Sequence, residues 1–400
     1  MTKITNIEIY ELGEGKPSKG AGWASTMILL KITTDDGYVG YGEAVPTLRV
    51  LPVIEALREV SRLYINREVF DVERNTRDWY RHDFYLPESF ESTTALSAFD
   101  IASWDIIGKV TGTPLYRIVG GEYRKRIRVY ANGWYSECRE PDEFAERAKQ
   151  WVAKGYSALK FDPFGDYYDY IDGYGLSKSE AIVNAVRESV GDSVDLLIEH
   201  HGRFNANSAI MIARMLEKYS VLFAEEPVHP EDVNGLKKYR AKSKLRVALG
   251  ERIISLKQAL LYLEEGLVDF LQADITNSGG VTGARKMAAV AEAYGVEMAF
   301  HNAFGPVQNA VTLQLDTSIP NFLIQESFYD VFPDWKRKLV MNATPVEGGH
   351  TQVPSKPGLG VEIDETVLEE RRISGQEYFN PDEPVWVVSG TWNWKRQIFS

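Results

Sequence analysis

Three short apolar runs in this 400-residue chain each lead into a glutamate: residues 196–198 before Glu199, 221–224 before Glu225 and 246–250 before Glu251. The glutamates stand 26 residues apart, and 26 again, the length of a strand with its crossover helix and loops. The rhythm continues to both sides. Residues 270–273 lead into Asp274, 297–300 into His301 and 322–325 into Glu326, while 127–131 and 158–162 lie upstream. Eight strand candidates alternating with helical stretches such as 209–216 and 284–293 predict a parallel sheet closed into a barrel. A barrel of this kind gathers its functional residues at the C-terminal strand ends, where these acidic and histidine residues fall. Helix capping would explain one or two of the carboxylates; six consecutive strand ends call for a shared site.

The chain is longer than a barrel alone and leaves room for an accessory domain. Residues 1 to about 50 alternate with period two around an Asp35-Asp36-Gly37 turn, and 51–119 become helical, with small and apolar residues at helical spacing over 95–108. We therefore expect an N-terminal α+β domain over 1–125, a barrel over 126–340, and a tail over 341–400 that packs back on the first domain. The tail carries strand-like runs at 357–363 and 384–388. Two long loops rich in Gly or aromatics, 13–25 and 163–176, are expected over the barrel mouth. A net charge of −12 argues against a nucleic-acid partner. A single cysteine, Cys138, excludes an internal disulfide framework. No run reaches transmembrane length and the N-terminus begins like a strand, so a cytoplasmic protein with no membrane partner is expected.

Three carboxylates converging from adjacent strand ends suit a hard divalent cation, Mg²⁺ foremost. Strand alternation puts Glu199 and His201 on one face and His200 on the other. His301 ends the strand beside Asp274, whose carboxylate would fix the imidazole tautomer and stabilise its charged form. Glu326 lies on the other side. Two histidines flanking a cation suit proton removal beside a metal-bound carboxylate, with the enediolate stabilised by the cation and the departing hydroxyl protonated from the opposite flank. The reaction class is β-elimination of water from a hydroxy acid.

Six stretches together resemble the enolase superfamily in its mandelate racemase-like branch. They are Val39-Gly40-Tyr41-Gly42-Glu43, residues 100–109, Glu225-Glu226-Pro227, Gly250-Glu251-Arg252, residues 274–280, and Lys356-Pro357-Gly358-Leu359-Gly360. The resemblance implies an α/β fold: a modified (β/α)7β TIM-type barrel with an α+β capping domain formed by the N-terminal segment and the C-terminal tail. It implies one Mg²⁺ per subunit on Glu199, Glu225 and Glu251, a base dyad of Asp274 and His301, Glu326 at the enolising carboxyl end of the substrate, and a homo-oligomer. Within the branch, residues 198–207 and 299–305 are similar to the gluconate and galactonate dehydratases, which carry a metal carboxylate and a catalytic histidine two residues apart, as Glu199 and His201 are. The implied reaction takes D-gluconate to 2-keto-3-deoxy-D-gluconate, with D-galactonate as a second substrate. His301 removes the C2 proton and His201 assists loss of the C3 hydroxyl.

Two departures matter. The first ligand of the family is usually Asp, and Glu199 is one methylene longer. Racemases of the branch carry Lys-x-Lys on the second strand, where this chain has Lys160-Phe161-Asp162; this counts against an epimerase. Candidate substrate contacts are Lys160, Asp162, Glu226, Asn302 and Trp23, with Arg49 and Tyr85 beside them. Lys160 either neighbours the substrate carboxylate or pairs with Asp162 inside the barrel. Glu226 either meets a hydroxyl or buttresses the loop before Pro227. A metal-binding scaffold without turnover is the rival from another class, and the paired histidines argue against it.

Overall fold

The computed structural model describes residues 1–14, 25–47, 49–82 and 88–375. Trp23, Tyr85, the run at 384–388 and most of the 13–25 loop lie outside them. Among the described residues, no helix is long and apolar enough to cross a membrane.

The chain opens with three antiparallel strands, β1 (Ile4–Gly13), β2 (Thr26–Thr34) and β3 (Val39–Ala44), in spatial order β1-β2-β3. Helices Val50–Tyr64, Val72–His82 and Phe90–Val110 follow. Phe90–Val110 begins in a capping box, with Ser89 and Ser92 exchanging side-chain and backbone bonds. It is buried on nearly every face, because it lies between β3 and the rest of the molecule. The glycines of β3 permit this: a Cβ on Gly40 or Gly42 would collide with the Ala102 or Ala98 carbonyl of that helix.

Eight parallel strands then alternate with seven helices. The strands are β4 (Ile127–Ala131), β5 (Ala158–Phe161), β6 (Asp195–Glu199), β7 (Phe223–Glu225), β8 (Val247–Leu249), β9 (Phe270–Leu271), β10 (Glu297–Met298) and β11 (Gln325–Ser327). They pair in the order β10-β9-β8-β7-β6-β5-β4-β11. A parallel bridge from Met298 to Phe322, the segment entering β11, closes the ring. Alternation sorts the side chains of β6: Leu196 and Ile198 join the large apolar layer under the helices, and Leu197 joins the barrel interior with Tyr130, Phe223 and Phe270. Glu199 therefore shares the inward phase of Leu197.

The later strands are shorter than their sequence runs. β8 stops at Leu249, β9 at Leu271 and β10 at Met298, so Glu251, Asp274 and His301 lie in the turns beyond. Asp274 and His301 are still joined by an isolated parallel bridge. The 357–363 run is likewise no strand; it makes single bridges from Gly358 to Pro114 and from Ile363 to Val340. The tail reaches the first sheet through Ile373 N–H to the Glu11 carbonyl and Gly13 N–H to the Arg371 carbonyl, both 2.9 Å. Asp105 draws three of the family-like stretches together. It accepts from Tyr41 N–H (3.1 Å), Leu359 N–H (2.9 Å) and Lys109 Nζ (2.7 Å).

Candidate active site

Glu199 and Glu225 face each other in register at the ends of β6 and β7, and Glu251 joins them from the turn after β8. One carboxylate oxygen from each lies within 4.8 Å of the others. Burial and the adjacent Glu199 charge push the Glu225 carboxyl well above the usual range. Burial works the same way on Glu199, but His201 and Lys160 outweigh it and hold that group low. Buried carboxylates this close together need a cation or a proton among them. All-oxygen donors favour a hard divalent ion, so these residues fit the metal that the sequence implies.

Lys160 stands beside the triad. Its Nζ is 2.6 Å from Glu225 Oε1, 2.8 Å from Glu326 Oε1 and 3.3 Å from Glu199 Oε2. Burial disfavours its charge, yet Glu225 and Glu326 keep the ammonium firmly protonated. The pairing of Lys160 with Asp162 considered from sequence is not found: β5 ends at Phe161, so Asp162 lies past the strand and strand alternation no longer holds it beside Lys160. Asp162 instead binds Arg203 Nη2 (2.6 and 2.8 Å) and His201 Nδ1 (2.8 Å), fully buried. These partners engage both of its oxygens.

His301 Nδ1 lies 2.6 Å from Asp274 Oδ2, and its Nε2 is 3.5 Å from Glu251 and 3.9 Å from Glu326. Burial opposes the charge on His301, but Glu326, Asp274 and Glu251 outweigh it and raise the imidazole to about 9. Asp274 also accepts from Thr276 N–H (2.7 Å) and Gln308 Nε2 (2.8 Å). Glu326 accepts from Asn132 Nδ2 and Asn302 N–H, each 2.8 Å. The Asn302 amide donates to Asn309 and to the Glu326 carbonyl, so it braces this corner.

His201 follows β6 and His301 follows β10, four places around a ring of eight strands and hence across it. His200 is buried against Phe164 (4.8 Å between ring centroids), with Nδ1 on the Glu225 carbonyl at 3.0 Å. Burial lowers its imidazole to about 4, so it stays neutral. Its separation from His201 comes from a left-handed turn rather than from strand alternation: His201 has φ +52° and Gly202 φ +60°. Glu226 is also left-handed, at φ +40°. Burial raises its carboxyl to about 8. Arg252 ties together the loops after β6, β7 and β8, with Nη2 3.0 Å from Glu226 and 2.6 Å from the His201 carbonyl, and Nε 3.3 Å from Glu251. Arg49 pairs with Glu91. Arg203, Arg252, Gln308 and Asn132 were missed as site residues, since each acts through a partner distant in the chain and nothing local marks it.

The sequence profile described as Enolase C-terminal domain-like matches residues 143–367. That of the Mandelate racemase / muconate lactonizing enzyme N-terminal domain matches residues 17–120. A D-gluconate/D-galactonate dehydratase of Picrophilus torridus is 49% identical, covering 98% of this chain and 100% of its own. A D-gluconate dehydratase of Thermoproteus tenax is 51% identical over 98% of this chain and 78% of its own. The crystal structure of a mandelate racemase/muconate lactonizing enzyme from Sulfitobacter sp. superposes with a TM-score of 0.86, at 31% identity, over 94% of this chain and 96% of that one.

Proposed function

This chain belongs to the enolase superfamily, in its mandelate racemase / muconate lactonizing enzyme family, and on that premise we propose that it dehydrates D-gluconate to 2-keto-3-deoxy-D-gluconate, with D-galactonate as a second substrate. The observation that carries this reading is the pair of histidines on opposite sides of a carboxylate triad, each of them bonded to a buried aspartate. The names of the two dehydratase relatives support the substrate class.

In this reading Glu199, Glu225 and Glu251 hold one Mg²⁺, which when bound supplies positive charge where the substrate carboxylate gains negative charge. Lys160 and Glu326, already in contact, border the carboxyl end of the substrate. In its neutral form, which a cation on the triad would favour by offsetting the carboxylate charges that raise it, His301 takes the C2 proton at Nε2, and Asp274 orients the ring through Nδ1 and stabilises the charge it acquires. The electron pair left at C2 forms the double bond to C3. The C3 hydroxyl takes a proton from His201 and leaves as water, and the enol tautomerises to the 2-keto acid. Residues 126–340 carry this chemistry, the described residues of 1–125 and 341–400 cap it, and the enzyme is a cytoplasmic homo-oligomer.

An end-point assay for 2-keto-3-deoxy acids, run with Mg²⁺ over C5 and C6 aldonates and aldarates and with an EDTA control, tests the proposal. Metal-dependent product from gluconate is the expected result. Product from other acids alone would overturn the substrate and keep the chemistry. Inversion at C2 with solvent deuterium incorporation and no keto product would identify an epimerase.

A further inference from the structure

The left-handed backbone of His201 is held on three sides. Its N–H donates to Glu199 Oε1 at 2.6 Å, its carbonyl accepts from Arg252 Nη2 at 2.6 Å, and its ring Nδ1 lies 2.8 Å from Asp162 Oδ2. A residue in this backbone region persists when its surroundings over-determine it, and such positions gather at functional sites. Asp162, directly after β5, is itself anchored. Oδ1 accepts from Phe164 N–H (3.0 Å) and Arg203 Nη2 (2.8 Å), and Oδ2 accepts from Arg203 Nη2 at 2.6 Å. Arg203 is buried and fixed in turn on the Gly165 carbonyl (2.8 Å) and the His200 carbonyl (3.2 Å).

Chemistry then assigns the proton. Arg203 and the Phe164 amide are donors only, so Asp162 meets them as an acceptor. The ring nitrogen facing Asp162 Oδ2 therefore carries a hydrogen. Nε2 lies on the far side of the imidazole from Asp162, and the side chain of His201 keeps 20% of its surface open. This second carboxylate–imidazole pair joins β5 to β6, across the ring from the Asp274–His301 pair.

Resting on the dehydratase reading above, we propose that Asp162 is a positioning residue for the elimination half of the reaction, holding His201 with a proton on Nδ1 and Nε2 toward the C3 hydroxyl. In that half-step the charged ring gives its Nε2 proton to the hydroxyl as the C3–O bond breaks and water leaves. The neutral ring that remains keeps Nδ1–H on Asp162. Removal of the C2 proton belongs to His301 and does not pass through this pair. An Asp162→Asn side chain can turn its NH₂ toward the ring and favour the other tautomer, so the two half-reactions should separate.

The test has two arms. In the first, Asp162→Asn is assayed for dehydration and, in ²H₂O, for deuterium entering recovered substrate at C2. The expected result is a fall in dehydration kcat of about 100-fold or more, with KM and C2 exchange close to the parent. Dehydration at the parental rate would overturn the proposal. So would equal loss of exchange and dehydration in a folded variant, which would make the aspartate a general structural support. In the second arm, ¹⁵N-histidine NMR of the parent, with His201→Asn assigning one signal among six histidines, reads the ring directly. A proton on Nδ1 of the neutral ring is expected; a neutral ring with bare Nδ1 would sink the proposal. This arm decides the matter even if Asp162→Asn does not fold, or if the parent turns over no sugar acid. Failure to turn over sugar acids would overturn the dehydratase reading alone.

Discussion

Gln308 donates its side-chain amide to Asp274 Oδ2 over 2.8 Å, sharing that oxygen with His301. The rest of Gln308 is also engaged: Oε1 accepts from Phe304 N–H (2.8 Å), and its own N–H donates to Glu43 Oε2 at the end of the first sheet (2.9 Å). The proposed base dyad thus rests on a residue pinned by the N-terminal sheet. Gln308→Leu removes a donor from a buried carboxylate and leaves polar partners unpaired, a loss of about 1–3 kcal/mol. The variant should melt at a lower temperature and lose roughly 10-fold or more in kcat through the misplaced dyad, with KM little changed. A variant with parental kcat would remove Gln308 from any positioning role.

His301→Asn keeps a polar side chain and loses the proposed base. Dehydration should fall by about 10²–10⁴-fold, and deuterium should no longer enter substrate at C2, while circular dichroism stays that of the parent. Continued C2 exchange would move the base assignment to another residue.

Binding of Mg²⁺ to the triad should stabilise the folded chain by mass action, about 2.7 kcal/mol at a hundredfold excess over Kd. The melting temperature should rise with Mg²⁺, return with EDTA, and become insensitive to Mg²⁺ in Glu251→Gln. An equal thermal response in parent and Glu251→Gln would place the ion elsewhere.

Asp100 provides a pH dependence away from the site. It is buried on helix Phe90–Val110, where Oδ1 accepts from Thr282 N–H at 3.1 Å. Burial raises its carboxyl from 3.8 to about 7. The folded-state value lies above the unfolded one, so the stabilisation is complete below about pH 4 and is lost as pH rises through about 7, on the order of a few kcal/mol. Asp100→Asn cannot ionise. Its melting temperature should gain on the parent between pH 4 and pH 8; curves that stay parallel would show that Asp100 does not titrate in this window.

The sequence by itself determined the barrel rhythm, the glutamates of the triad and the Asp274–His301 pair. The reason is local: strands and helices announce themselves by side-chain period, and a parallel barrel places every strand end at one mouth. Even the motif Val39-Gly40-Tyr41-Gly42-Glu43 was legible as a pattern, although its cause, the close approach of Ala98 and Ala102, was not. Tertiary structure alone decided which charges meet. Lys160 and Asp162 are two residues apart, yet one turns to Glu199, Glu225 and Glu326 and the other to Arg203 and His201. His201 and Glu226 leave the strand pattern for left-handed turns, so alternation no longer sets where they point. Gln308 reaches Glu43 across 265 positions of chain. Contacts of that kind follow from ring closure and domain docking, which bring together groups whose own neighbours in sequence carry no trace of the partner.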